Sequence, residues 1–65
     1  MGNDWRVVYT SNKPYQAEMV KDILIENEIE AILLNKQDSL YLFGDIEVYV
    51  QPDDVIKAKF IIKDF

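Results

Sequence analysis

Cysteine and histidine are absent from this sequence of 65 residues. Without cysteine no disulfide can form, and without either residue the usual ligands of a structural zinc ion are missing. The two absences also remove the thiol nucleophile and the imidazole base on which much covalent and acid–base catalysis relies. We therefore expect a protein that is not an enzyme and that holds no metal and no cofactor.

Long apolar runs and clustered basic residues are also missing. No run approaches the roughly 20 apolar residues that span a bilayer, and residues 1–4 are not followed by the apolar segment of a signal peptide. Twelve acidic residues against seven basic ones give a net charge of −5, which repels a nucleic-acid backbone. We expect a cytoplasmic protein that binds neither nucleic acid nor a membrane.

The sequence does have enough apolar material for a core, because 49% of its residues are hydrophobic. We expect residues 1–65 to fold as one small domain. A chain of this size buries only about 60% of the surface that its unfolded form exposes, so its stability is marginal. Small folds gain stability from disulfides, metals or oligomerisation. Because the residues for the first two are missing, we expect a homodimer.

Hydrophobic periodicity predicts the order strand, helix, strand, strand, helix. Period-two alternation marks the strands, and apolar residues three and four apart mark the helices. Pro14 and Pro52 suit the first turn of each helix, where a missing N–H is harmless. Ser11 and Asn12 offer capping side chains for the first helix, and Asn27 tolerates the left-handed conformation at its end. The expected bounds are 5–10, 30–35 and 45–50 for the strands, about 14–27 for the first helix, and residue 52 onward for the second.

This order of elements predicts the topology. A right-handed crossover between the first two strands leaves a gap in which the third strand pairs with both. The expected fold is α+β, a ferredoxin-like plait lacking the fourth strand, with a three-stranded antiparallel sheet in the order 2-3-1 and both helices on one face. The first strand then has an open edge, and Trp5, Val7 and Tyr9 alternate along one of its faces. We expect self-association through this strand or through the uncovered face of the sheet.

The segment 36–44 is longer than a tight hairpin turn and carries an apolar run, 40–43, where a loop is usually polar. One interpretation is that this run folds back onto the helices or extends the hairpin. The other is that it forms part of a subunit or partner interface. The candidate residues for binding a ligand or a partner are Lys36, Asp38, Ser39, Tyr41, Leu42 and Phe43.

Two patterns match functional motifs but have simpler structural explanations. Residues 35–38, Asn-Lys-Gln-Asp, match the guanine-reading NKxD motif, yet the sequence has no glycine-rich phosphate loop to accompany it. A polar hairpin loop explains them. Four acidic residues suggest a magnesium-dependent enzyme, but a solvated strand face and the positive end of a helix dipole account for them. They are Asp45, Glu47, Asp53 and Asp54.

Several short blocks of the sequence together resemble a known family. The blocks are Asn12, Pro14, Tyr15 and Glu18 at the first helix, Asn27 and Ile29–Ala31 after it, residues 35–39, Phe43–Gly44 and Ile46–Val50. The chain resembles the small bacterial family of unknown function catalogued as "putative prokaryotic signal-transducing protein", which is likened in fold to the PII signalling proteins. The resemblance implies a ferredoxin-like fold and a regulatory role, and it transfers no catalytic residue. Nucleotide binding of the PII kind is not carried over, because the predicted sheet lacks the fourth strand and no basic phosphate site is evident.

Two functions are compatible with these observations. The first is a non-catalytic regulatory or adaptor domain that binds a protein partner through residues 36–44 and the open sheet. The alternative is a small-molecule sensor that binds a polar metabolite at the loop or at a subunit boundary, where Lys36 supplies a positive charge suited to an anion. We favour the first.

Overall fold

The computed structural model describes residues 4–37 and 44–65, in which three strands and two helices follow the order β-α-β-β-α. The predicted order of elements is confirmed, and each predicted boundary is within a few residues of the observed one. A single 3₁₀ turn, Pro52–Asp54, precedes the second helix. The elements are β1 (Arg6–Ser11), α1 (Pro14–Glu26), β2 (Ala31–Asn35), β3 (Ile46–Val50) and α2 (Val55–Ile61).

The strands form one antiparallel sheet in the order β1-β3-β2. This is the predicted 2-3-1 order, with β3 inserted between the two strands that the α1 crossover joins. The described part of the chain is therefore a ferredoxin-like plait with three strands, and the sheet is open. Both β1 and β2 are edge strands, which leave one row of backbone hydrogen-bonding groups free of a strand neighbour.

A β-bulge in β1 changes which side chains share a face. Val7 pairs with Tyr49 and Tyr9 pairs with Val48, so the register shifts between them and Val8 is the extra residue. The prediction that Trp5, Val7 and Tyr9 share one face is wrong, because a bulge interrupts the strict period of two. Trp5 precedes the strand. Val7 lies on the uncovered face, whereas Tyr9 packs against the core on the helix side.

The core lies between the sheet and the two helices. Ile46, Val48 and Val50 on the central strand are at most 1% exposed, and they face buried side chains of both helices. This arrangement confirms that α1 and α2 cover the same face of the sheet. The buried residues of the helices are Ala17, Val20 and Leu24 on α1, Ala58 on α2 and Ile62 directly after it.

The apolar residues spaced three and four apart in and after α2 differ in burial. Val55, Ala58 and Ile62 pack in or against the core, but Phe65 is 48% exposed. Its ring meets the ring of Tyr9 edge to face, with centroids 6.0 Å apart and planes at 87°. The end of the chain is thereby held against β1.

The turn before α1 differs from the predicted cap. Pro14 is the first helical residue, as expected, but Lys13 precedes it and the helix has no side-chain cap. The Ser11 hydroxyl instead accepts a hydrogen bond from the backbone N–H of Lys13 and donates one to Oε1 of Gln16. The Ser11 side chain therefore shapes the turn between β1 and α1 rather than capping the helix.

Helix α1 ends in a Schellman motif. The N–H of Ile29 donates to the carbonyl of Leu24, and the N–H of Glu28 donates to that of Ile25. Glu28 has φ = 65°, so Glu28 rather than Asn27 takes the left-handed conformation at the end of the helix. The side chain of Asn27 donates to the carbonyl of Ile23 instead. The motif directs Ile29 into the core, where it packs with Leu24.

Candidate functional site: the open face of the sheet

The uncovered face of the sheet presents two rows of side chains that run across the strands. Val7, Tyr49 and Ile32 occupy one row, because Tyr49 is paired with both of the others. Residues paired directly across strands point to the same face, so each row forms a contiguous strip. In the second row Glu47 is paired with Thr10 on β1 and Leu34 on β2.

Apolar side chains dominate the edges of this face. Val7, Ile32 and Leu34 are 45%, 40% and 45% exposed, although each sits in a strand. A strand with one solvated face normally alternates apolar and polar residues, and β2 departs from this rule on its outer face. We define the open-face patch as Val7, Ile32, Leu34, Glu47 and Tyr49 together with Lys36, which follows β2.

A charged and hydrogen-bonded cluster lies within the patch. Oε1 of Glu47 accepts a hydrogen bond of 2.5 Å from the Tyr49 hydroxyl and lies 3.2 Å from Nζ of Lys36. The Glu47 side chain is 20% exposed and that of Lys36 is 53% exposed. Because two donors converge on one carboxylate oxygen, the three side chains hold each other in place across β2 and β3.

The hydrogen bonds of this cluster shift three pKa values. The bond from Tyr49, followed by the one from Lys36, lowers the pKa of Glu47 below its ordinary value. The hydrogen bond to Glu47 and the negative charge of its carboxylate raise the pKa of Lys36. The same hydrogen bond, reinforced by burial, raises the pKa of Tyr49. At neutral pH the cluster therefore holds a carboxylate, an ammonium and a neutral phenol.

Hydrogen bonds hold the residues at the start of the 36–44 loop in place. The N–H of Lys36 donates to the carbonyl of Asp45, which continues the β2–β3 pairing beyond the strand ends. The Asn35 side chain accepts a hydrogen bond of 2.8 Å from the N–H of Gln37, an Asx turn. The Gln37 side chain in turn donates to the carbonyl of Asn12, before α1. Lys36 and Gln37 thus form a polar turn directly after Asn35, the last residue of β2, whereas Asp38 lies outside the described residues.

Of the predicted binding residues, the structure places Lys36 on the open-face patch. Asp38, Ser39, Tyr41, Leu42 and Phe43 lie outside the described residues, so their proposed roles stay predictions. Self-association through Trp5, Val7 and Tyr9 also stays a prediction, although only Val7 of the three belongs to the patch.

The candidate residues that the sequence suggests do not include Ile32, Leu34 or Tyr49. The run 30–35 is almost continuously apolar, which is also the pattern of a strand buried on both faces. The available signal is that both predicted helices cover one face of the sheet, which leaves the other face of β2 without a layer over it. In a sheet with helices on one side only, every second residue of that strand faces away from the core.

The described part of the chain holds neither a pocket nor a metal-binding cluster. Residues 4–37 and 44–65 form no pocket, and they bring no three acidic side chains together in a way that would hold a metal ion. Asp53 and Asp54 occupy the 3₁₀ turn before α2, whereas Glu47 is engaged by Tyr49 and Lys36. Neither helix within the described ranges is long and apolar enough to cross a membrane.

Comparison with known proteins gives one match. No curated protein and no solved structure matches the chain. Residues 5–65 match a family described as "Putative prokaryotic signal transducing protein", and this match covers nearly the whole chain and every described strand and helix. The chain therefore belongs to this family.

Proposed function

We propose that this chain is a non-catalytic regulatory domain that transmits a signal by binding a partner protein on its open-face patch. The observation that carries this proposal is the set of large apolar side chains exposed on an uncovered sheet. Val7, Ile32 and Leu34 are each at least 40% exposed and lie beside a fixed polar cluster. Protein interfaces combine apolar contact area with a few hydrogen-bonding groups in this way.

The protonation states of the cluster support a binding role over a catalytic one. A general acid or base works best with a pKa near neutrality. Here the pKa of Glu47 is lowered, and those of Lys36 and Tyr49 are raised, so each moves away from neutrality. The three groups are suited to fixed electrostatic recognition.

The alternative function, a small-molecule sensor, has less support. Small ligands are usually held in concave sites that bury most of their surface, and no pocket forms among the described residues. The positive charge of Lys36, which would attract an anion, is already paired with Glu47. A small molecule retained in native mass spectrometry, together with a melting temperature that rises on adding it, would favour this alternative.

The proposed function is tested by site-specific photo-crosslinking in host cells. A photoreactive amino acid replaces Leu34 on the patch, and a matched control carries it at Asp53, which is exposed but lies in the 3₁₀ turn. We expect a defined crosslink to another protein from position 34 and none from position 53. The crosslinked protein is identified by mass spectrometry and purified.

The purified partner is then titrated against the parent and the Ile32→Glu and Leu34→Glu variants. Each variant places a charge on the apolar patch, and we expect the dissociation constant to rise at least about 10-fold. Circular dichroism checks that the variants fold. Equal crosslinking from positions 34 and 53, or unchanged affinity of both variants, would contradict the proposal.

A further inference from the structure

The outer surface of the helix layer also exposes large apolar side chains. Ile56, Phe60 and Tyr15 are 85%, 67% and 60% exposed, and Met19 is 47% exposed. Ile56 and Phe60 are four residues apart on α2, and Tyr15 and Met19 are four apart on α1, so each pair lies on one face of its helix. Among the described residues, Ile56, Phe60 and Tyr15 are the most exposed large hydrophobic side chains.

Helix α2 itself carries two exposed lysines, Lys57 and Lys59, and no acidic residue. Asp53 and Asp54 precede the helix, and Lys63 and Asp64 follow it. Nζ of Lys63 lies 4.6 Å from the centre of the Phe60 ring, a cation–π distance. The charges nearest the exposed apolar pair on α2 itself are therefore positive, in a chain whose net charge is −5.

The outer surface of α1 has the opposite charge. Glu18, Asp22 and Glu26 are exposed along the helix. Lys21 offsets part of this charge, because its Nζ lies 3.3 Å from Oε1 of Glu18. The remaining balance on α1 is negative, and it surrounds the exposed apolar pair Tyr15 and Met19.

Within one molecule the two outer surfaces cannot meet, because both helices cover the same face of the sheet and both surfaces point away from it. A second copy related by a two-fold axis can bring them together twice, since an isologous interface repeats each contact. We propose that two copies associate through their helix layers, with α2 of each copy against α1 of the other. The basic apolar surface of α2 then meets the acidic apolar surface of α1.

The dimensions of the molecule suit this arrangement. The Cα atoms extend over 35 × 30 × 15 Å, so the helix layer is one of two broad faces. A standard protein interface buries about 800 Å² on each partner, which a face of this size can supply. The proposal does not depend on the function proposed for the open sheet. It does leave both open-face patches pointing outward, so that one dimer presents two partner-binding surfaces.

Charge exchange between the helices tests the proposal. In one variant Lys57→Glu and Lys63→Glu are combined, and in the other Asp22→Lys and Glu26→Lys are combined. Each variant alone sets like charges against each other at both contacts, and we expect its dimer dissociation constant to rise at least about 10-fold. An equimolar mixture restores opposite charges at both contacts, so we expect heterodimers with affinity close to that of the parent.

Sedimentation over a range of concentrations and native mass spectrometry measure these equilibria. Leu34→Glu is the matched control, because it adds a charge on the open sheet and is expected to leave the dimer unchanged. A parent that stays monomeric, variants that dimerise as the parent does, or a mixture that fails to form heterodimers would each overturn the proposal. Loss of the dimer in Leu34→Glu would assign self-association to the open sheet instead.

Discussion

The carbonyl oxygen of Lys36 lies 2.6 Å from the position that a Cβ atom at Gly44 would occupy. The backbones of Lys36 and Gly44 are therefore close together where the 36–44 loop begins and ends. Lys36 and Asp45 are also joined there by a backbone hydrogen bond. Gly44 has φ = 105°, a conformation that L residues rarely adopt. Glycine is thus required at this position for two independent reasons.

Replacing Gly44 by alanine is expected to destabilise the protein by about 2–4 kcal/mol, from backbone strain and the clash with Lys36. Urea denaturation measures the loss. Chemical synthesis allows a matched control with D-alanine, which favours positive φ and does not place its methyl group at the position that clashes with the Lys36 carbonyl. We expect D-alanine to cost less than L-alanine. Equal stability of the L-alanine variant and the parent would contradict the assigned geometry.

Replacing Glu28 by glycine is expected to stabilise the protein by about 0.5–1 kcal/mol. Glu28 is in the left-handed conformation at the end of α1, which is unfavourable for residues with a Cβ atom. The control is Glu26→Gly, two residues earlier and the last residue of α1, which should destabilise by a similar amount. Thermal denaturation compares the two variants. A loss of stability in Glu28→Gly would rule out relief of strain at this position.

Truncating Leu24 to alanine is expected to cost about 2–5 kcal/mol, because it opens a cavity where α1 meets Ile29 and the sheet. Both Leu24 and Ile29 are at most 1% exposed. In a domain of this size such a loss is comparable with much of the total stability. Leu24→Met, which conserves volume, is the control and should cost less than about 1.5 kcal/mol. Chemical denaturation curves of both variants provide the comparison.

Acidification is expected to remove a stabilising contribution of Glu47. The pKa of this residue is lower in the folded protein than its ordinary value of 4.5. Its contribution is therefore complete above that value and is lost as the pH falls through the folded-state pKa. The Glu47→Gln variant lacks this titration, so its melting temperature should fall less than that of the parent between neutral and acidic pH. Parallel curves for the two proteins would exclude the effect.

Removing the Tyr49 hydroxyl is expected to raise the pKa of Glu47 toward its ordinary value. The hydrogen bond from Tyr49 is the largest cause of the lowered pKa, and the one from Lys36 is the next. Carbon-detected NMR titration of the Glu47 carboxylate measures the pKa in Tyr49→Phe and in Lys36→Met. We expect the pKa of Glu47 to rise in both variants. An unchanged pKa in Tyr49→Phe would exclude the Tyr49 hydrogen bond as a cause of the lowered value.

The strand order and the helical face of the core followed from local patterns in the sequence. Alternation along Ile46–Val50 and the spacing of Ala17, Val20 and Leu24 carry that information, because a strand repeats every two residues and a helix every 3.6. The short loops and the handedness of crossovers then leave few topologies. The resemblance to the family that residues 5–65 match rested instead on short blocks of specific residues, such as 35–39 and Ile46–Val50.

The open-face patch depended on the tertiary arrangement. Val8 is an extra residue only relative to the partner strand β3. The alternation of residues within β1 therefore does not reveal the bulge that puts Val7 and Tyr9 on opposite faces. Ile32 and Leu34 are apolar whether buried or exposed, and their exposure follows from the absence of a helix layer on the outer side of β2 in the described structure. The convergence of Lys36 and Tyr49 on Glu47 requires β2 and β3 to pair in one register.

Local patterns in the chain therefore dictate the elements, their order and the side chains that form the core, since these depend on periodicity and on backbone preferences of neighbouring residues. Only long-range pairing decided which apolar side chains stay in contact with water. Burial of an apolar residue depends on which residues pack over it, and those residues are distant from it in the sequence. For this protein those exposed side chains are the ones from which both proposed interfaces are built.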